Sequence, residues 1–353
     1  MYPKIIINIQ KLRENIIALQ KMCRENGIEP FFVTKVIASD PEVLEKLTDL
    51  NIAGFADSRT DNLKKLKDFK EKKLLLRIPM LSELEELVDY VDYVLISEKK
   101  TLIELNEICR RKNKKIGIIL MTDLGDLREG DFYEEEFYSN AKLASELSYL
   151  KFSGIGANLT CYGAILPSVE NLTLLVKRAR HIEETLGVEL EIVSGLGSNG
   201  LYLLKQGKIP GGITQFRIGE ATFIGTEASY GLPLSELNQD IAVLEVEIVE
   251  LKRKPSLPIG EAGRDAFGGK PVFEDLGERK RAIVAIGKQD TEIDSLEPMI
   301  EGVKIMGASS DHLIVDVEDC EEKLSVGDKI SFKVGYTALL RAFTSTYVKK
   351  EIR

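Results

Sequence analysis

Histidine is scarce in this 353-residue sequence: His181 and His312 are the only two. That argues against a histidine-rich metal site, and no metal is expected. Cysteine is also thin. The four residues Cys23, Cys109, Cys161 and Cys320 stand far apart and form no Cys-x-x-Cys pair, so neither a disulfide framework nor a zinc knuckle is indicated and a reduced compartment is the simplest home. No apolar run is long enough to span a bilayer. Met1-Tyr2-Pro3-Lys4 has none of the apolar character of a secretion signal, and a cytoplasmic location is the expectation. Positive charge is in deficit, 48 basic against 57 acidic residues for a formal net charge of −9. That disfavours a nucleic-acid partner.

What is present suits a soluble globular chain of about two domains: 44% hydrophobic and 30% charged residues. From Phe31 onward, short apolar runs alternate with amphipathic segments. Strands are predicted at Phe31–Val33, Ala53–Ala56, Leu74–Ile78, Tyr93–Ile96, Lys115–Met121, Phe152–Ala157, Glu191–Val193 and Thr214–Arg217. Helices are predicted between them. One opens at Ser39-Asp40-Pro41-Glu42, one covers Arg59–Phe69, and one is entered through a Ser82/Glu85 capping box. Another carries Val169, Leu172, Val176, Ala179, Ile182 and Leu186 on a single side. Some eight strands alternating with helices indicate an α/β chain built as a (β/α)8 TIM-type barrel. An open doubly wound sheet would more often show a glycine-rich turn after its first strand, and none is present. After Gly225 the texture changes to short strands and turn residues, a C-terminal all-β domain. The expected division is a barrel over residues 10–225 and a β domain over 226–353, with the first strand, 1–9, joining the latter.

Barrels of this kind carry their chemistry at the C-terminal ends of the strands. Lys35 stands there, ending the buried strand that runs through Phe31–Val33. A lysine so placed either snorkels to solvent or is held as a reactive amine that forms Schiff bases. Further along, Ser194-Gly195-Leu196-Gly197-Ser198-Asn199-Gly200 and Arg217-Ile218-Gly219-Glu220 follow the last two strands, where barrels commonly bind phosphate. The glycines allow close backbone approach, Ser198 offers a hydroxyl, and Gly219 and Glu220 offer amides. Each alone is an ordinary glycine-bearing turn. Together with the lysine they suggest a phosphorylated aldehyde, pyridoxal 5′-phosphate.

These residues resemble the fold-type III pyridoxal-phosphate enzymes of the alanine racemase family, and more closely its alanine/ornithine racemase branch, over nearly the whole chain. Val33-Thr34-Lys35 resembles the strand that bears the Schiff-base lysine. Thr122-Asp123-Leu124-Gly125-Asp126-Leu127-Arg128 resembles the loop whose arginine contacts the cofactor phenolate oxygen, and Gly154-Ile155-Gly156-Ala157-Asn158 the segment whose last residue packs on the ring. Ser198 falls at the phosphate serine. Phe216-Arg217-Ile218-Gly219 resembles the Arg-x-Gly motif, whose arginine faces the pyridine nitrogen while the following amides hold phosphate. Ser309-Ser310-Asp311 resembles a segment that approaches the substrate carboxylate from a partner subunit, and Thr344-Ser345-Thr346-Tyr347-Val348 the stretch with a phosphate-binding tyrosine. The resemblance therefore implies pyridoxal 5′-phosphate in a Schiff base with Lys35. It implies contacts from Arg128, Asn158, Ser198, Arg217, Gly219, Glu220 and Tyr347, with Arg128, Ser310 and Asp311 toward the substrate. It also implies a homodimer whose active site is shared between subunits.

The sequence departs from that pattern in four places. The family's second base is usually a tyrosine; the matching stretch, Ile259 to Gly268, has none. Asp265 is the candidate for the role, with a solvated turn as the plain alternative. Met121 stands where many relatives have a modified lysine seven residues before the loop arginine. Asn158 replaces a frequent histidine, and Lys288 replaces a tyrosine that narrows the mouth. The resemblance implies amino-acid racemisation by two-base exchange of the α-proton through an external aldimine, and a wider mouth bearing Asp265, Asp290, Asp311 and Glu220 would suit a substrate with a distal ammonium. Ornithine is the expected substrate, with lysine or alanine as alternatives. These acids could equally belong to the general acidic excess. A fold-type III decarboxylase usually sets a carboxylate against the pyridine nitrogen and carries a cysteine-containing C-terminal motif that is missing here. A non-catalytic pyridoxal-phosphate homeostasis protein is built on the barrel alone. A zinc-dependent relative acting on D-amino acids would need more ligands than His312 and Cys320.

Overall fold

The apolar run Lys4–Ile7 forms strand β1, and Ile9–Arg24 forms helix α1, which buries Leu12, Ile16, Leu19 and Cys23 at helical spacing. The structure is a computed structural model and describes residues 1–264, 267–270 and 272–353. Eight parallel strands follow: β2 (Glu29–Val33), β3 (Gly54–Asp57), β4 (Lys72–Leu75), β5 (Tyr93–Ile96), β6 (Ile116–Met121), β7 (Leu150–Gly156), β8 (Ile192–Gly197) and β9 (Gln215–Ile218). They close on themselves in sequence order, with β9 pairing back to β2. Every residue of β3, β6 and β9 is buried, as expected of parallel strands covered on both faces.

The helices between them are α2 (Pro41–Glu45), α3 (Thr60–Lys64), α4 (Leu84–Leu87), α5 (Lys99–Lys112), α6 (Glu134–Glu146), α7 (Val169–Leu186), α8 (Leu201–Lys205) and α9 (Glu220–Ile224). Asp40 caps α2, accepting from the Glu42 and Val43 amides, with Pro41 at the first position. Ser168 and Asn171 cap α7 reciprocally, and Gly187 ends it with φ 64°. Two local expectations are corrected. The helix expected over Arg59–Phe69 is the five-residue α3. The entry to α4 is not a Ser82/Glu85 box. There the Glu83 carboxylate accepts from the Met80 amide at 2.8 Å and pairs with Arg77.

Side-chain alternation along the strands fills the barrel with Phe31, Val33, Ala56, Leu74, Leu95, Ile119, Met121 and Ile192. Glycine makes two close approaches possible. A Cβ on Gly54 would lie 2.4 Å from the Phe31 ring, and one on Gly154 would lie 1.9 Å from the Ile192 carbonyl oxygen. The second neighbour is backbone of the adjacent strand and cannot step aside. Gly154→Ala is expected to lower stability by about 1–3 kcal/mol, measured by denaturant unfolding; a midpoint equal to wild type would contradict this account of barrel closure.

Residues 1–10 and 240–353 form a second compact unit, distinct from 11–239. Its strands are β10 (Ala242–Pro255), β11 (Glu278–Val284), β12 (Leu296–Pro298), β13 (Lys304–Ala308), β14 (Leu313–Asp316), β15 (Lys329–Val334) and β16 (Lys349–Ile352). The sheet runs in the order β12-β15-β10-β11-β14-β13, with β1 antiparallel to β10 and parallel to β16. This unit also carries helix α10 (Tyr336–Thr344), which buries Ala338, Leu339, Ala342 and Phe343. The segment 226–239, expected with the β domain, packs with the barrel. Leu234 N–H donates to Gly225 O at 2.9 Å and Asn238 N–H to Asn15 Oδ1 at 2.7 Å. Among the described residues no helix is long and apolar enough to cross a membrane.

Candidate active site

Because the eight strands are parallel, the residues that follow them gather at one end of the barrel. Strand β2 stops at Val33 rather than at Lys35, and Lys35 opens a single 3-10 turn, Lys35–Ile37. That turn is held by a buried polar knot. Ser39 Oγ donates to Asp57 Oδ2 at 2.8 Å, Thr34 Oγ1 lies 2.7 Å from Ser39 Oγ, and Thr34 N–H donates to Ala56 O at 2.8 Å. Asp57 Oδ1 takes the Arg59 amide and Asn62 Nδ2, each at 3.0 Å. Burial pushes the Asp57 carboxyl above its usual range, and the donors around it oppose the shift. Ala38 and Ser39 both adopt left-handed backbone, φ 50° and 47°. Consecutive non-glycine residues there are strained, and the Thr34–Ser39–Asp57 bonds are what hold them. Lys35 itself is half-buried.

After β6 the chain makes a tight loop. Asp123 Oδ1 accepts from the Gly125 and Leu127 amides, and Asp131 N–H returns to Met121 O. Asp126, fully buried, accepts from the amides of Cys161, Tyr162 and Ile165 in the loop after β7. The two loops are thereby locked together. Met121 is buried in the barrel core, so β6 brings no charged group toward Arg128 from that position.

Arg217, near the end of β9, is buried. Its Nη2 donates to Ala157 O at 2.5 Å and to Asn158 Oδ1 at 3.0 Å. Its Nη1 is buried with no protein partner. Burial pulls its pKa down to about 10, against the favourable charge of Glu129. Asn158 Nδ2 donates to Glu129 Oε1, and Glu129 in turn receives Arg128 through Nε and, at 2.6 Å, Nη2. After β8, Ser198 Oγ accepts from the Gly219 amide at 3.3 Å and the Ala221 amide at 3.0 Å. Gly197 lets β8 approach β9, since a Cβ there would lie 2.3 Å from Arg217 O. Glu220 is half-buried and accepts from Thr226 Oγ1, and burial raises its carboxyl.

The barrel thus brings Arg128, Asn158 and Arg217 into one hydrogen-bonded chain and Ser198 and Gly219 into another. The remaining expected residues lie in the β unit. Ser310 and Asp311 form an exposed turn in which Ser309 holds the Asp311 carboxyl low. Lys288 lies beside that turn, its amide donating to Ser309 O at 3.0 Å. Tyr347 is exposed between α10 and β16. Asp290 is not a mouth residue open to a ligand: it is buried and accepts from Ser345 Oγ at 2.6 Å. Asp265 lies outside the described residues. The sequence reading missed Glu129 and Asp57. Asp57 had a signal in its place at a strand end one strand from Lys35, whereas Glu129 had none beyond its adjacency to Arg128.

The donor set fits pyridoxal 5′-phosphate. A buried guanidinium with an unused N–H can meet only an acceptor, such as a pyridine nitrogen. Ser198 Oγ lies against the turn after β9, where it accepts from the Gly219 and Ala221 amides, and its own O–H is a donor that this turn offers to a phosphate.

Residues 7–227 match the family description "Alanine racemase, N-terminal domain". The chain is 49% identical over 352 residues to the ornithine racemase of Acetoanaerobium sticklandii, covering 100% of both. It is 38% identical over 352 residues to the lysine racemase of Thermotoga maritima, covering 99% and 98%. Among solved structures, the alanine racemase of Clostridium difficile superposes with a TM-score of 0.76 at 19% identity, covering 100% of this chain and 96% of that one. The D-threonine aldolase of Filomicrobium marinum superposes with 0.74 at 14%, covering 97% and 89%. At such identities these structures establish the fold alone.

Proposed function

The chain belongs to the alanine racemase family, and from that premise we propose that it is an ornithine racemase that uses pyridoxal 5′-phosphate. The substrate choice is carried by the end-to-end likeness to the relative named an ornithine racemase. The cofactor choice is carried by Arg217, a buried cation whose Nη1 has no partner in the protein. When bound, pyridoxal 5′-phosphate supplies an aldehyde for the amino group and a conjugated ring that draws electrons from Cα.

The chain's own residues do the rest. Ser198 and the amides of Gly219 and Glu220 hold the phosphate, with Tyr347 as a further partner. Arg128 would meet the phenolate oxygen and the substrate carboxylate, and Asn158 would pack on the ring. Arg217 is protonated and can only donate, so it leaves the ring nitrogen unprotonated and limits electron withdrawal. A weak sink favours return of the proton to Cα over side reactions. Lys35 Nζ takes or returns the proton on one face of Cα, and inversion needs a second group on the other face. Asp265 is that group in our reading. It would come from the β domain of a second subunit, where Ser310 and Asp311 would also approach the substrate, so the reading includes a homodimer, with the cytoplasm as its proposed location.

Lysine is the second substrate reading, favoured by the likeness to a relative named a lysine racemase. A chiral assay of ornithine, lysine and alanine with added pyridoxal phosphate tests the order. Ornithine is expected to give the highest kcat/KM, with lysine next, by at least about tenfold over alanine. Preference for alanine would overturn the substrate reading, and failure to interconvert any enantiomer would overturn the reaction.

A further inference from the structure

We infer that Glu129 is the positioning carboxylate of the cofactor site, fixing Arg128 directly and Arg217 through the Asn158 amide. The inference rests on the reading of this barrel end as the seat of pyridoxal phosphate and adds to it a residue that neither the motifs nor the comparisons assign.

The hydrogen bonds have one consistent direction. Arg217 can only donate, so the Asn158 atom facing its Nη2 must be the carbonyl oxygen, 3.0 Å away. The Asn158 NH2 then has to find an acceptor, and it finds Glu129 Oε1. A reversed amide would set NH2 against guanidinium and oxygen against carboxylate. Glu129 therefore selects the orientation of Asn158, whose carbonyl oxygen holds Arg217 Nη2 together with Ala157 O. Both oxygens of Glu129 are engaged: Oε1 takes Asn158 and Arg128 Nη2, and Oε2 takes Arg128 Nε. A carboxylate committed this way is not poised to take a substrate proton or to bind a distal ammonium. It orients other residues.

Charge points the same way. Arg217 has no carboxylate among its direct hydrogen-bond partners. The charged and titratable groups that act on it are Glu129 and Cys161, which favour its protonated form, and Arg128, which opposes it. Without Glu129, Arg217 would lose the carboxylate that favours its charge while Arg128 still opposes it. The Glu129 side chain is 15% exposed and that of Arg128 40%, so the carboxylate is the better shielded partner of the pair. The loop that places it is pinned by Asp123 Oδ1, which accepts from the Gly125 and Leu127 amides, and by the Asp131 amide, which donates to Met121 O. Gly125 and Gly130 have φ 109° and 111°, and a Cβ on Gly130 would lie 2.7 Å from the Thr122 carbonyl carbon.

The test uses full-length protein stripped of cofactor, with pyridoxal 5′-phosphate as the titrant. Glu129→Gln is expected to raise its dissociation constant about tenfold, the loss of one charge-assisted contact, and to move the visible absorption maximum, while the thermal midpoint of the apo protein stays within a few degrees of wild type. Glu129→Asp, which keeps the charge, is expected to retain more affinity than Glu129→Gln. In Glu129→Ala, sodium formate is expected to restore at least threefold in affinity over sodium chloride at equal ionic strength. Unchanged affinity and spectrum in Glu129→Gln would overturn the inference, and so would equal losses in Gln and Asp variants without formate rescue. If wild type itself neither binds pyridoxal phosphate nor racemises ornithine, the functional reading fails first and takes this inference with it.

Discussion

Replacing Lys35 with alanine is expected to abolish the absorption band near the visible–ultraviolet boundary and to cut racemisation by at least about 10³-fold. Two losses combine. The cofactor loses its covalent attachment at Nζ, and Cα loses the base on one face. The fold should survive. The turn is shaped by the Thr34–Ser39–Asp57 hydrogen bonds, and Lys35 is only half-buried. Thermal unfolding of the variant should therefore match that of apo wild type. A direct check is borohydride treatment of wild type, which is expected to fix the cofactor on the peptide that contains Lys35. Retention of the band in Lys35→Ala, or fixation on another lysine, would remove Lys35 from its role and leave the strand-end turn as plain architecture.

The barrel was legible because parallel strands buried on both faces write themselves as short apolar runs, and β5, β6 and β9 lie within a residue or so of where those runs predict them. The strand ends were legible too, and with them Lys35, Ser198 and Arg217. Helix extents were not. The stretch Arg59–Phe69 has helical spacing, but turns and a bend take over after Lys64, and local propensity does not report where packing stops a helix. Helix α10 escaped notice although Ala338, Leu339, Ala342 and Phe343 follow a helical period, because the surrounding short strands set the expectation. Glu129 was invisible for a different reason. In sequence Arg128-Glu129 reads as an exposed ion pair, and its meaning comes from Asn158, 29 residues later. Hydrogen bonds between loops of that separation depend on closure of β6 against β7, which no local pattern encodes.

Arg217→Met is expected to separate stability from function. The guanidinium is buried and burial opposes its charge, so replacing it by an unbranched apolar side chain removes a desolvation cost of several kcal/mol. Against that stand the Ala157 carbonyl and the Asn158 amide oxygen, which lose their donor at about 1–3 kcal/mol each. Glu129 keeps Arg128 as its partner, so no lone buried carboxylate is created. The terms nearly cancel, and the apo protein is expected to unfold within about 1 kcal/mol of wild type. Racemisation should nonetheless fall by at least about 10²-fold, since nothing would then donate to the ring nitrogen and the ring would draw electrons from Cα more weakly still. Thermal unfolding of the apo protein and a chiral assay with ornithine decide it. A variant that unfolds several degrees early yet racemises normally would make Arg217 a structural residue of the β9 terminus and would take the cofactor reading of that buried N–H with it.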